Sequence, residues 1–491
     1  MLFNSLEYLL VFLPIMAIAY YFLIRKVNKV AGINLLIIGS LFFYTWWKVE
    51  YLALLMSSIV LNYVAGQAIM KYKGISKPIL VFGIVLNLAT LGYYKYSGFF
   101  LGMFDYEHLV GSIVLPLAIS FFTFQQIAYL VDAKQNKIED NSFRSYVLFV
   151  AFFPQLVSGP IVHHKDVLQQ FSKDYRILLD SKTIAAAITI IAIGLFKKVV
   201  IADSLAPHAN WVFELGNQGA VIPAVLAWSG SLCYTLQIYF DFSGYSDIAI
   251  GSALLFGIQL PINFNSPYKS ASIIDFWRRW HITLSTFLKD YLYIPMGGNR
   301  HGEFNRHLFL MITMLLGGLW HGAGWIYVIW GGMHGFALVI NHLYRKKIAI
   351  HFTDQFRGGQ TYHLTNWLIT FIFVNLTFIV FRSESLLSIT TLTTGLFEFT
   401  TGMTDAMVDK GVFILGTSPL VSLVLIGLLC LVVKALPNTQ QILDYKPREN
   451  FSEQAKWQPG IVFAVTTGII LIISLYKIIG NGYSEFIYRF F

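Results

Sequence analysis

His321 is the residue best placed for chemistry, in the run Leu319-Trp320-His321-Gly322-Ala323-Gly324-Trp325, where every neighbour is apolar, aromatic or glycine. An imidazole titrates near neutrality and takes a proton from a hydroxyl or a thiol. The flanking glycines permit close backbone approach and a helix break that opens the ring to a cavity. A plain structural role fits as well, with the ring hydrogen-bonded to a neighbouring helix and Gly318 and Gly322 forming a packing face. His281 reads either as a second catalytic group or as a packed interface residue. His334, in Gly331-Gly332-Met333-His334-Gly335, reads as structural, and His163 and His164 read as part of a solvated loop. No His pair has the i,i+3 or i,i+4 spacing with a carboxylate that a metal site on one helix needs, so no metal is expected.

Asp241 and Asp247, in Tyr239-Phe240-Asp241-Phe242-Ser243-Gly244-Tyr245-Ser246-Asp247, are costly beside apolar sequence unless they are paired or line a cavity. Pairing with Arg278 or Arg279 is the simplest solution. Asn263 and Asn265, in Pro261-Ile262-Asn263-Phe264-Asn265-Ser266-Pro267-Tyr268, have side chains that can donate to a developing oxyanion, and Asx turn chemistry explains them almost as well. The chain has no G-x-S-x-G elbow, no P-loop and no H-E-x-x-H, and no His has Asp five residues later. Serine hydrolases, ATPases, zincins and soluble-type glycerolipid acyltransferases are therefore not first readings.

These side chains need a scaffold that works without water. The 491 residues are 56% hydrophobic, 16% aromatic and only 12% charged. A soluble domain carries about a quarter charged residues, so the composition is that of an integral membrane protein. The net charge of +9 comes from basic residues clustered between apolar runs, the pattern of the positive-inside rule and not of nucleic-acid binding. Cys233 and Cys430 lie in apolar stretches without metal or redox spacing and read as small hydrophobes.

Uncharged runs long enough to span a bilayer fall near 6–24, 31–47, 51–70, 78–98 and 109–131, and simpler ones near 364–381, 412–435 and 459–480. Basic and poorly basic loops alternate through the first five, which places the N-terminus outside the cytoplasm. Residues 145–162 are broken by Pro154, Gly159 and Pro160 and read as re-entrant, with similar broken stretches at 229–267 and 317–335. Such backbone is tolerated at membrane depth only around protein or a wet cavity. Residues 275–294 read as one interfacial amphipathic helix, with Phe276, Trp277, Trp280, Leu284, Phe287, Leu288 and Tyr291 on its apolar face. Arg278, Arg279, Thr283, Thr286, Lys289 and Asp290 take its polar face, and His281 points inward. The expected fold is all-α, with about nine to twelve transmembrane helices plus re-entrant and interfacial helices around a cavity. It forms a single domain, with peripheral N-terminal spans over 1–131, a catalytic core over 145–345 and C-terminal spans over 364–491.

The runs Phe153-Pro154-Gln155-Leu156-Val157-Ser158-Gly159-Pro160, Tyr239 to Asp247, Asn263 to Tyr268, Asp275-Phe276-Trp277-Arg278-Arg279-Trp280-His281 and Leu319 to Ala323 together resemble the membrane-bound O-acyltransferase family. Within that family they resemble the branch containing the alginate O-acetylation membrane subunit. The resemblance runs from Leu2 to about residue 345. It implies a helical bundle around a central funnel, with His321 deep inside and His281 as its companion. It also implies an acyl group arriving from the cytoplasm as a thioester, acetyl-CoA for example, with no tightly bound cofactor. The group would pass to an acceptor reachable from the opposite face of a bacterial inner membrane. The implied partners are periplasmic esterase-like acetyltransferases and a polysaccharide synthesis and export complex, together with membrane lipid.

On that reading His321 is the general base and Asn263, or backbone N–H groups near the glycines, stabilises the oxyanion. Asp241, Trp320, Arg278 and Arg279 complete the substrate-binding set, the two arginines and Lys289 drawing coenzyme A phosphates if their face is cytoplasmic. D-alanylation of teichoic acid or O-acetylation of peptidoglycan by the same fold is the nearest alternative. A transporter with intramembrane Asp and His couplers would show two related halves, and the chain has no internal repeat. A scaffold of an export complex would not need His321.

Overall fold

The computed structural model of the chain describes residues 1–106, 111, 113–140, 142–157, 159–162, 170, 180–400, 402, 411, 413–416, 418–447, 457–481 and 484–487. Among these the regular structure is helical, without strands. Seven helices are long and apolar enough to cross a membrane: Glu7–Lys26, Tyr51–Lys71, Lys73–Gly102, Ser181–Asn217, Trp325–His351, Gln360–Arg382 and Ile461–Gly480. Lys29–Thr45 and Pro419–Ala435 are shorter apolar helices. Large side chains such as Ile18, Phe22, Phe82, Ile369 and Ile472 point outward along these helices. Hydrocarbon can solvate them and water cannot, so this is a multi-pass membrane protein.

Several expected elements differ. The fifth run becomes a helix over Ile119–Lys134, almost wholly buried, because Pro116 disfavours helix just upstream and Ala118 turns the chain at φ 63°. Of residues 229–267, the break falls only beyond Leu254, in the irregular backbone that leads to Pro267, since one helix runs without interruption from Ala224 to Leu254. Its glycines serve packing: a methyl at Gly230 would lie 2.4 Å from Val212. The amphipathic segment 275–294 is not one helix either. Ile273–Arg279 and Ile282–Leu288 are separate short helices, and Trp280 and His281 leave helical geometry between them. Apolar periodicity continues across the break because both helices turn the same side inward, so periodicity alone could not reveal it. The break expected in 317–335 is present, at Gly322 and Gly324, both in extended backbone. His163 and His164 lie outside the described residues.

The chain forms two compact units. The first comprises Met1–Phe196, Gly244–Ile262 and Thr439–Phe491. Its N-terminal helices are joined by buried amides, Asn62 and Asn87 exchanging hydrogen bonds of 3.2 and 2.6 Å between Tyr51–Lys71 and Ser76–Leu91. The expected re-entrant segment belongs here. Helix Phe143–Ala151 stops at Phe152, and Phe153–Leu156 forms one more turn around Pro154. Residues 146–157 are buried in protein, as irregular backbone in lipid requires. Asp247 accepts hydrogen bonds from Thr439 Oγ1 (2.7 Å) and Gln440 Nε2 (2.6 Å).

The second unit comprises Lys197–Ser243 and Asn263–Asn438. Its centre is the antiparallel pair Gly302–His321 and Trp325–Lys347. Glycine is obligatory where they cross: a Cβ on Gly318 would sit 2.2 Å from the Tyr327 carbonyl oxygen, and one on Gly331 2.3 Å from that of Met314. Asn375 of Gln360–Arg382 joins the Ala224–Leu254 helix, accepting from Thr235 Oγ1 (2.8 Å) and donating to Ser231 Oγ (3.2 Å). Cys233 is buried and Cys430 half-buried.

Candidate active site

Within the second unit, the break between the two short helices places His281. Ser272 caps the first, its hydroxyl accepting from Asp275 N at 3.1 Å. The chain then pairs with the extended segment 263–265: Asn265 N donates to the Arg279 carbonyl (2.9 Å) and Ile282 N to that of Asn263 (3.0 Å). Between these bonds His281 is held at φ 44°, ψ 52°, a left-handed conformation uncommon for any residue but glycine. Such geometry persists where the surroundings over-determine it.

Asn263 Oδ1 receives Thr283 N (3.3 Å), Thr283 Oγ1 (2.9 Å) and His281 Nδ1 (3.2 Å). A backbone N–H only donates, so this amide atom is the oxygen and His281 Nδ1 carries a hydrogen. Neutral His281 therefore has its lone pair on Nε2. It lies outside the seven candidate spans and is wholly buried, and burial lowers its pKa from 6.5 to about 3. A group this acidic in its protonated form stores no proton near neutrality, and is suited to accept a hydrogen bond and orient its donor.

His321, the last helical residue before the glycine break, is 1% exposed. Its ring centroid lies 6.3 Å from that of His281, with the rings at 63°. Trp320 (5.0 Å), Trp330 (5.1 Å) and Phe381 (5.5 Å) surround it. Trp320 also lies 6.1 Å from His281, so it touches both imidazoles, and Phe242 stands edge-on to His281 at 4.9 Å. The structure thus brings together His321, His281, Asn263 and Trp320.

It does not bring the charged candidates into that group in the expected way. Asp241 is buried in an ion pair with Lys198 (2.6 Å), which also binds Asp203 at 2.8 Å. The expected salt bridge of Asp241 or Asp247 to Arg278 or Arg279 gives way to these contacts and to the Asp247 bonds described above. Sequence pointed to the arginines because the tertiary path that returns Lys198 to the Ala224–Leu254 helix carries no local signal. Arg279 binds Asp275 at 2.9 Å and stays about one-third exposed, and Arg278 is exposed. Both are therefore surface groups, open to an anionic ligand but outside the aromatic enclosure. Among the described residues no three His, Cys, Asp or Glu side chains gather as metal ligands.

Residues given no catalytic or binding role from the sequence also contribute. Trp330 packs on His321 on one side and on His334 at 4.7 Å on the other. Trp277 Nε1 donates to His334 Nδ1 at 3.3 Å. The i,i+4 spacing of Trp330 and His334 put them on one helix face, but nothing local indicated that this face meets His321.

A multi-pass helical membrane protein with two neighbouring buried imidazoles, walled by tryptophans, is the class defined by this fold and site. Residues 132–383 match the membrane-bound O-acyltransferase family, MBOAT. The chain is 44% identical over 420 residues to the peptidoglycan O-acetyltransferase of Helicobacter pylori, covering 79% of this chain and 78% of that protein. It is 39% identical over 401 residues to the "Probable alginate O-acetylase AlgI" of Pseudomonas aeruginosa, covering 79% and 73%. Over 301 residues it is 28% identical to the teichoic acid D-alanyltransferase of Streptococcus thermophilus, covering 55% and 69%. The chain belongs to the membrane-bound O-acyltransferase family and is an acyltransferase.

Proposed function

We propose that this chain takes an acetyl group from a cytoplasmic thioester, acetyl-CoA being the fitting donor, and delivers it across the bacterial inner membrane for O-acetylation of an exported polysaccharide such as alginate. The observation that carries the reading is the buried His281–His321 pair, 6.3 Å apart. His321 serves as general base, with His281 beside it as companion. As the acceptor oxygen bonds to the thioester carbonyl carbon, its proton passes to His321 and the carbonyl electron pair moves onto oxygen. That pair returns as the C–S bond breaks, and the departing thiolate takes the proton. Asn263 supports this step: its Oδ1 is occupied, while its Nδ2 has no partner among the described residues and can donate to the oxyanion.

The N-terminus faces the periplasm on this reading, and a periplasmic esterase-like protein with a polysaccharide export complex receives the group. Peptidoglycan is the second acceptor reading, favoured by the 44% identity to the Helicobacter pylori enzyme. The test is His321→Ala at unchanged membrane level, with acetyl ester measured on both exported polysaccharide and peptidoglycan. Loss from one polymer, at normal polymer yield, assigns both the residue and the acceptor. Unchanged ester on both removes His321 from the reaction.

A further inference from the structure

Three buried nitrogens near the histidine pair are donors. Trp330 Nε1, His334 Nε2 and Asn263 Nδ2 have no hydrogen-bond partner among the described residues. Their side chains are 1%, 0% and 0% exposed. An indole nitrogen only donates, and so does an amide nitrogen. For His334 the structure decides: Trp277 Nε1–H points at Nδ1 (3.3 Å), so Nδ1 is bare and the neutral ring carries its hydrogen on Nε2. All three groups are therefore donors held in buried, largely aromatic surroundings. Buried donors are rarely left this way, and a group that is calls for a reason such as a catalytic role.

We propose that Trp330 Nε1–H and His334 Nε2–H bind the carbonyl oxygen of the acyl thioester and hold the oxyanion formed when the acceptor adds. They act together with Asn263, the donor already assigned beside His281, and the inference rests on the thioester reading given above. Trp330 is in ring contact with both His321 (5.1 Å) and His334 (4.7 Å), so the donors lie one side chain from the general base. Trp277 is a positioning residue: its indole fixes the His334 tautomer, and through it the short helix Ile273–Arg279 is tied to Trp325–Lys347.

The test uses the full-length chain in nanodiscs with two probes, acetyl-CoA and its thioether analogue S-ethyl-CoA, which lacks the carbonyl oxygen. Wild type is expected to bind acetyl-CoA in preference. Trp330→Phe keeps a ring but no N–H, and is expected to lose roughly tenfold of that preference, the upper range for one neutral hydrogen bond. It is also expected to lose most acetyl ester in cells, as removal of an oxyanion donor does. His334→Gln, whose amide restores a donor near Nε2, is expected to retain more of the preference than His334→Leu. Trp277→Phe, which frees the tautomer, is expected to fall between them. Variants that fold and either keep the wild-type preference or lose both probes equally overturn the inference while leaving the thioester reading intact. Wild-type protein that binds neither probe overturns the thioester reading and the inference with it.

Discussion

Asn263 Oδ1 stands 3.2 Å from His281 Nδ1 and receives two further hydrogen bonds from Thr283. One side-chain oxygen thus sets the tautomer of an imidazole 18 residues away and closes the helix break in which that imidazole sits. Asn263→Ala removes the acceptor of three buried hydrogen bonds. Each costs about 1–3 kcal/mol, so a clear drop in thermal stability is expected in detergent-solubilised protein. Asn263→Asp, which keeps the acceptor, is expected to be better tolerated in stability while still losing acetyl transfer.

The buried neutral state of His281 gives a signed pH dependence. Its pKa is depressed from 6.5 to about 3 by burial, so the unfolded chain takes up a proton that the folded chain refuses. The contribution to stability is complete above pH 6.5 and is lost as pH falls toward 3, at about 1.4 kcal/mol per pH unit. Unfolding of wild type and His281→Gln, compared at pH 7.5 and pH 5, reads this directly. The wild type is expected to lose more stability between the two, and an equal loss refutes the assignment.

Lys198 lies between two carboxylates, 2.8 Å from Asp203 and 2.6 Å from Asp241. Lys198→Met strips both of their cation, and breaking a buried pair costs about 3–5 kcal/mol. Asp241→Asn leaves Lys198 with Asp203, so it is expected to be the milder change. Yield of monodisperse protein on size exclusion separates the two, and the reverse order would mean that Asp241 matters for something other than this pair.

The hairpin carrying His321 depends on Gly318. A methyl there meets the Tyr327 carbonyl oxygen at 2.2 Å and cannot be accommodated by a side-chain rotation, because the obstacle is backbone. Gly318→Ala is expected to abolish ester formation and lower the yield. Gly332→Ala, whose nearest neighbour is Leu315 Cδ2 at 3.4 Å, is the matched control and is expected to behave as wild type. Ester content of both strains, normalised to membrane protein, checks the contrast.

Much of this was legible in the chain itself. Charge depletion and apolar runs required a membrane protein, because lipid selects for uninterrupted hydrophobic length. Gly322 and Gly324 marked the end of the His321 helix, since glycine is a poor helix former. His321, His281 and Asn263 stood out as polar groups in apolar sequence, and Trp320 as the neighbour of one of them. The break at His281 did not show, because two short helices that bury the same side share the periodicity of one long helix.

What only the tertiary structure decided is which group faces which. Hydrogen bonds and ion pairs form between side chains 18, 43 or 57 residues apart, as in His281 with Asn263, Lys198 with Asp241, and Trp277 with His334. Local sequence carries no record of such pairings, because the helix packing that creates them depends on shape complementarity over the whole unit. The sequence determined a membrane acyltransferase and its histidines. The packing determined the tautomers of His281 and His334, the salt bridge of Asp241, and the inward donors, because each of these depends on a neighbour brought close only by the fold.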